Sequence, residues 1–273
     1  MDHRATTRYK AYVRYRAIFL SDIHLGARAC RAGDLLSFLR NHDASTIYLV
    51  GDVIDFWRLR RGPNWRPAQT EVLLELLAKA KSGTKLIYIP GNHDEELRVL
   101  AGTTLGPVEI RLRAIYETAS GRRFLVVHGD EFDDVVNRAR WLAVLGDIGY
   151  DVASAANGAL NWGRRIFGLP YWSLSAYLKY RVKQIVNYAV NFETSLASEA
   201  RRVGASGVIC GHIHHAATRV IDGIDYMNTG DWVDSGTALV EHFDGRMEII
   251  RWTDHLRALQ ASAAKAPVAP VTS

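Results

Sequence analysis

Ten histidines occur in the 273-residue chain, and five of them, His24, His93, His128, His212 and His214, fall in five short segments of similar make-up. Each segment follows an apolar run: Asp22-Ile23-His24, Gly51-Asp52-Val53-Ile54-Asp55, Gly91-Asn92-His93-Asp94, His128-Gly129-Asp130 and Gly211-His212-Ile213-His214. Asp22, His24, Asp52, Asn92, His128, His212 and His214 amount to seven candidate metal ligands, more than one four-coordinate ion can use. Carboxylate, amide and imidazole donors without a thiolate suit Mn²⁺, Fe or Zn²⁺ better than Ca²⁺ or a structural zinc. Two ions sharing a bridging carboxylate fit the count. Such a pair, roughly 3.5–4 Å apart, clamps two oxygens of a phosphate and makes a bound water nucleophilic at neutral pH. The expected chemistry is phosphoester hydrolysis.

The elements that must position these residues are legible as alternating strands and helices. Arg16–Ser21, Thr46–Val50, Lys85–Ile89, Phe124–Val127 and Gly207–Cys210 are short runs rich in Ile, Val, Leu, Phe and Tyr, and they read as buried strands. Leu35–Asn41 and Thr70–Lys81 carry apolar residues three and four apart and read as amphipathic helices. In the second, Leu73, Leu74, Leu77 and Ala78 are expected to face the core, opposite Glu71, Glu75 and Lys79. Alternation of this kind gives an α/β domain, whose ligands collect at the carboxyl ends of strands. Ile224–Asn228, Thr237–His242 and Arg246–Trp252, the last two joined by Asp244-Gly245, predict a second, partly antiparallel sheet.

The ordered motifs D-x-H, G-D-x-x-D, G-N-H-D, H-G-D and G-H-x-H resemble those of the calcineurin-like metallophosphoesterase superfamily, over residues 17 to about 250. The resemblance implies an α/β fold, a two-sheet sandwich flanked by helices, here with an inserted helical cap. It also implies one metal held by Asp22, His24 and His214, a second by Asn92, His128 and His212, and Asp52 bridging. It further implies that His93 lies beside the substrate as a non-ligand histidine, able to offset charge on the leaving oxygen, with Asp55 as the carboxylate that orients it. The alternative for the whole set is a group of satisfied polar residues at strand ends.

Longer strings narrow the resemblance. His128–Asp133, Gly168–Ser175, Cys210–Ala216 and Asn228–Val233 are similar to the bacterial UDP-2,3-diacylglucosamine hydrolase-like branch. That branch implies cleavage of a lipid-linked pyrophosphate in lipid A metabolism, releasing UMP and an acylated sugar 1-phosphate, with Mn²⁺, at the cytoplasmic face of the inner membrane. The hydrolase usually reads G-N-R-D where this chain has His93. The histidine is the general superfamily residue, so the departure touches the substrate and not the metal chemistry.

Three segments are expected: a basic N-terminal arm (1–16), a metallophosphoesterase domain (17–255) interrupted by an insertion at 133–202, and a disordered tail (256–273). The insertion, about 70 residues, far exceeds the roughly 2–6 usual between α/β elements. Within it, 152–192 holds eight aromatics, five bases and no acid. Arg164, Arg165, Trp172, Lys179 and Lys183 there are candidates for binding substrate and for meeting an anionic membrane surface; the alternative is a cap whose aromatics form its own core.

The overall net charge of +5 conceals an acidic body, because the arm carries five bases to one acid and 152–192 five to none. A long nucleic-acid track would need a continuous basic stripe, so no nucleic acid is expected as partner. The longest runs free of both charged residues and histidine, Val152–Gly163 and Ile166–Leu178, fall well short of the roughly 20 residues that span a bilayer. With only Cys30 and Cys210 and no apolar leader behind the first ten residues, a reducing cytoplasm is the expected setting, with peripheral association to the inner membrane. Three readings remain open: a lipid-pyrophosphate hydrolase, a phosphodiesterase or nuclease on nucleotides, and a non-catalytic metal-bound membrane scaffold. Oligomeric state is not assigned.

Overall fold

A computed structural model describes residues 13–62, 64–132, 166–168 and 192–256. The chain divides into two compact units, one formed by Met1–Asp130 with Glu199–Ser273, the other by Glu131–Ser198. All elements below belong to the first.

Val13–Leu20 (β1), His42–Val50 (β2) and Lys85–Ile89 (β3) lie side by side and parallel. They are the centre of a seven-stranded sheet that also contains Thr104–Leu105 (β4), Val108–Ile110 (β5), Thr237–Glu241 (β11) and Met247–Arg251 (β12). Its order is β12-β11-β1-β2-β3-β5-β4. The second sheet has five strands, Ala114–Glu117 (β6), Arg123–Val126 (β7), Gly207–Cys210 (β8), Ala217–Ile221 (β9) and Ile224–Asn228 (β10), in the order β6-β7-β8-β10-β9.

Alternation along the strands builds two cores. Ala17, Phe19, Tyr48, Val50, Ile87 and Ile89 face the second sheet and meet Ala114, Tyr116, Phe124, Val126 and Ile209. The intervening residues Ile18, Leu20, Ile47, Leu49, Leu86 and Tyr88 point the other way, onto the helices Ala32–Asn41 (α1) and Pro67–Lys81 (α3). Both faces of the central strands are therefore buried, which is why they read as unbroken apolar runs. Each large side chain so buried contributes roughly 1.5–3 kcal/mol. The result is the expected two-sheet α/β sandwich flanked by helices.

Three expectations are corrected. The C-terminal strands do not share a sheet: β10 joins β8 in parallel within the second sheet, whereas the β11–β12 hairpin attaches antiparallel to β1 in the first. Helix α3 buries Val72, Leu76 and Lys79, while Leu74 is 58% and Leu77 37% exposed, and Ala78 also faces out. Lys79 occupies the inward row because its alkyl stem packs like an apolar chain, while its Nζ donates to the His42 carbonyl at 2.8 Å. The sandwich begins earlier than residue 17: Arg14 and Arg16, counted with the basic arm, belong to β1, and Arg16 pairs with Glu241 at 3.2 Å. Residues 1–12 of the arm and the tail from 257 lie outside the described residues.

Candidate metal centre

Every one of the five strands ends in a segment that turns back toward the same place. Among the described residues, six other than glycine have a positive φ, and five of them are Asp22, His24, Asp52, His212 and His214, at 50° to 71°. Asp and His tolerate this left-handed region better than most residues, yet each such conformation costs of order 1–3 kcal/mol and persists only where neighbours enforce it. The enforcement is visible in the main chain. Asp22 N donates to Gly51 O (3.0 Å), His24 N to Asp52 O (2.8 Å) and Trp232 N to Asp22 O (3.0 Å), binding the segments after β1, β2 and β10 together. Further, His212 N donates to Asp22 Oδ2 at 2.9 Å and His93 N to Asp52 Oδ1 at 2.8 Å.

Glycines in the motifs follow from this crowding. A Cβ on Gly91 would lie 2.3 Å from Asp52 Oδ1 and 2.6 Å from His128 Nε2, and one on Gly51, itself at φ +78°, would lie 2.2 Å from His128 Nδ1. No side chain fits at either position.

The side chains form three linked groups whose ligand atoms lie within 4.8 Å of one another: Asp22, His24 and His214; His24, Asp52 and His93; and Asp52, His128 and His212. In the first, His214 Nε2 is 2.9 Å from Asp22 Oδ1, and His24 Nε2 is 3.3 Å from His214 Nε2. In the last, His128 Nε2 is 3.4 Å from Asp52 Oδ1, and the His128 ring is fixed by Nδ1 at 2.9 Å from the Val50 carbonyl. Asp22 Oδ1, Asp52 Oδ2, Asn92 Oδ1 and His128 Nε2 are all buried and make no hydrogen bond among the described residues. Such orphaned lone-pair atoms are costly unless a cation satisfies them. This donor set fits divalent metal ions.

Electrostatics point the same way. Burial alone would raise the Asp22 and Asp52 carboxyls, but the surrounding imidazoles, His214 for Asp22 and His128 for Asp52, hold both well below the usual carboxylate range. Burial likewise opposes a charged His128, yet Asp52 and Asp22 push its pKa up to about 10. A site that draws protons onto its imidazoles in this way is one where a metal cation is electrostatically welcome.

Asp55 sits beneath the cluster. Its Oδ2 takes His24 Nδ1 at 3.2 Å, and its Oδ1 accepts the Arg58 amide at 2.9 Å, capping the helix Phe56–Arg61 (α2). His93 Nδ1 lies 3.0 Å from Asp55 Oδ1, though rotated off the line of a straight hydrogen bond. Burial would raise the Asp55 carboxyl, but the His24 and His93 contacts lower it.

All of Asp22, His24, Asp52, Asp55, His93, His128, His212 and His214 are thus brought together, and Asn92 stands in the same segment as His93. The cap candidates Arg164, Arg165, Trp172, Lys179 and Lys183 lie outside the described residues. Sequence reasoning passed over Asp94 and Trp57. Asp94 is fully buried and accepts from Gly91 N (2.6 Å), Val53 N (2.8 Å), Asp52 N and Ile54 N (both 3.3 Å) and the Tyr88 hydroxyl (2.5 Å). It therefore fastens the Asp52 turn to the Gly91 turn. Its signal was an acid closing the G-N-H-D motif. Trp57, two residues beyond Asp55, packs on His93 with ring centroids 4.2 Å apart. Asp231, whose carboxylate accepts from Val233 N at 2.8 Å, and the buried Trp232 fix the loop after β10.

A UDP-2,3-diacylglucosamine hydrolase of Porphyromonas gingivalis is 31% identical to this chain over 127 residues, which is 44% of the chain and 47% of the relative. One of Aeromonas hydrophila is 35% identical over 123 residues, 41% of the chain and 47% of the relative. One of Neisseria meningitidis serogroup B is 25% identical over 237 residues, 79% of the chain and 89% of the relative. The chain thus spans about half the length of the first two and most of the third. The sequence pattern of the calcineurin-like phosphoesterases matches residues 15–216, which contain all five motifs. The chain belongs to the calcineurin-like phosphoesterase family.

Proposed function

We propose that this enzyme hydrolyses the pyrophosphate of UDP-2,3-diacylglucosamine or a similar lipid-linked substrate, adding water across one P–O–P bond to give UMP and an acylated sugar 1-phosphate. The observation that carries the chemistry is the pair of ligand groups, Asp22/His24/His214 and Asp52/His128/His212, drawn together around Asp52. The substrate assignment is supported by relatives named for that hydrolase, one matched over 89% of its length.

Asp22, His24 and His214 would hold one divalent ion, Asn92, His128 and His212 the second, and Asp52 would bridge them, with Mn²⁺ the ion favoured and Fe or Zn²⁺ compatible. When bound, the ions supply Lewis-acid activation of the phosphate and of the attacking water. His93 would place a proton-bearing Nε2 by the leaving oxygen, and Asp55 would hold its ring. The basic residues of 1–12 and the Arg, Lys and aromatic residues of 152–192 would meet an anionic inner-membrane surface.

The test is purified protein with Mn²⁺ offered UDP-2,3-diacylglucosamine, a cyclic nucleotide and DNA in parallel, with products read by mass spectrometry. UMP release from the first at the highest kcat/KM is expected. The second reading, a nucleotide phosphodiesterase, is favoured by His93 where the hydrolase branch usually carries Arg; cyclic-nucleotide turnover without UMP release would establish it instead.

A further inference from the structure

His93 is fixed at its main chain, by His93 N to Asp52 Oδ1 (2.8 Å) and Phe56 N to His93 O (3.1 Å). Its ring is not fixed to the same degree. Asp55 Oδ1, its partner at Nδ1, is shared with the Arg58 amide, and the approach of His93 is off-line. The torsion that sets an imidazole plane is broad and roughly two-fold, so one off-axis contact leaves it loosely set. Two rings close the remaining freedom. The Trp57 indole lies 4.2 Å from the imidazole centroid at 35°, and the His24 ring stands edge-on at 4.6 Å and 87°. Trp57 is half-buried in α2, a six-residue helix with no buried side chain, so its placement against His93 is not a by-product of core packing. Between these rings His93 Nε2 is kept 3.9 Å from Asp52 Oδ2.

We propose that Trp57 is the positioning residue of His93: its indole clamps the imidazole against His24, so that Nε2 stays on the Asp52 side of the centre. This rests on the role proposed for His93 above. Helix α2 then serves the site twice, through its Asp55 cap and through Trp57 in its first turn.

The test is a double-mutant cycle of Trp57→Ala and His93→Ala in the Mn²⁺-loaded enzyme, using bis(p-nitrophenyl) phosphate as probe, with metal content measured on each preparation. Trp57→Ala is expected to lower kcat roughly tenfold, inside the ~10²-fold that a 1 Å misplacement costs, with KM and metal content unchanged. Trp57→Phe, which keeps an aromatic face, restores kcat to within about threefold. In the His93→Ala background the tryptophan substitution should change kcat less than about twofold, the signature of coupling. A readout independent of turnover is histidine-selective NMR of the metal-free protein, in which the His93 ring signals stay sharp in wild type and Trp57→Phe and broaden in Trp57→Ala. An equal loss in both backgrounds, or a KM increase at constant kcat, would make Trp57 a substrate wall and overturn the proposal. An inert His93→Ala would instead sink the role given to His93.

Discussion

Asp94 offers the sharpest test of how the strand ends are held. Substituting it with alanine strips the acceptor from two short amide bonds, Gly91 N at 2.6 Å and Val53 N at 2.8 Å, and two longer ones from Asp52 N and Ile54 N at 3.3 Å, besides the Tyr88 hydroxyl. Bonds to a charged acceptor contribute about 1.5–3 kcal/mol each, and a buried donor left without a partner costs about 1–3. The carboxylate is not free of cost, since burial and the Asp52 charge raise its pKa. Weighing two short bonds against that cost and partial refilling by water gives a loss of about 3–5 kcal/mol, in the upper tail of single substitutions. For a chain of this size that is a fall in Tm on the order of 10 °C. Asp94→Asn is the control: it relieves the repulsion from Asp52 but must turn an NH₂ toward one pair of amide donors, so it should still lose about 2 kcal/mol. Urea denaturation with chelator present, followed by fluorescence, reads the change without a contribution from metal. A loss under about 1 kcal/mol for Asp94→Ala would refute the idea that this carboxylate ties the Asp52 turn to the Gly91 turn.

His93→Ala should keep full metal content and lose roughly 10²–10⁴ in kcat, the span of a general acid-base group, with metal analysis and kinetics done on one preparation; full activity at full metal would remove His93 from the mechanism. Asp52→Ala should lose metal and activity together, seen by elemental analysis after dialysis. Gly91→Ala, whose Cβ would meet Asp52 Oδ1 at 2.3 Å, should weaken metal binding by at least about tenfold in a competition titration. Metal affinity should also depend on pH. In the metal-free protein His128 is raised from 6.5 to about 10, so an entering ion displaces its proton and apparent affinity climbs up to about tenfold per pH unit below that value. The stabilisation from the charged imidazole is complete below the unfolded value of 6.5 and is lost as pH rises through about 10. A pH-independent affinity from pH 6 to 9 would contradict it.

Much of the fold was legible because the central strands are buried on both sides. Ile18 and Leu20 face α1 and α3 while Ala17 and Phe19 face the second sheet, so no polar residue interrupts the run. Strands β4, β5 and β6 are two to four residues long, and edge strand β9 exposes Arg219 and Val220, leaving neither length nor alternation to detect. Helix α3 was turned the wrong way because Lys79 reads as polar while its stem packs as apolar; its Nζ finds the His42 carbonyl. His42 itself is a packed histidine, stacked on Phe38 and bonded to the Phe38 carbonyl at 2.8 Å, unlike the ligand candidates. The candidate site was legible because its residues are both unusual in type and tied to strand ends. Trp57 was not, since an aromatic beside a motif carries no spacing rule; Asp94 closes G-N-H-D, but only its contacts with the Asp52 and Gly91 turns give it a role.

The most direct measurement of the central claim is the Mn²⁺ content and electron paramagnetic resonance of the purified enzyme, wild type beside Asp52→Ala. A metal pair bridged by Asp52 predicts two ions per chain with an exchange-coupled spectrum, both lost on substitution. A single uncoupled ion in the wild type, or a coupled pair that survives Asp52→Ala, would contradict it.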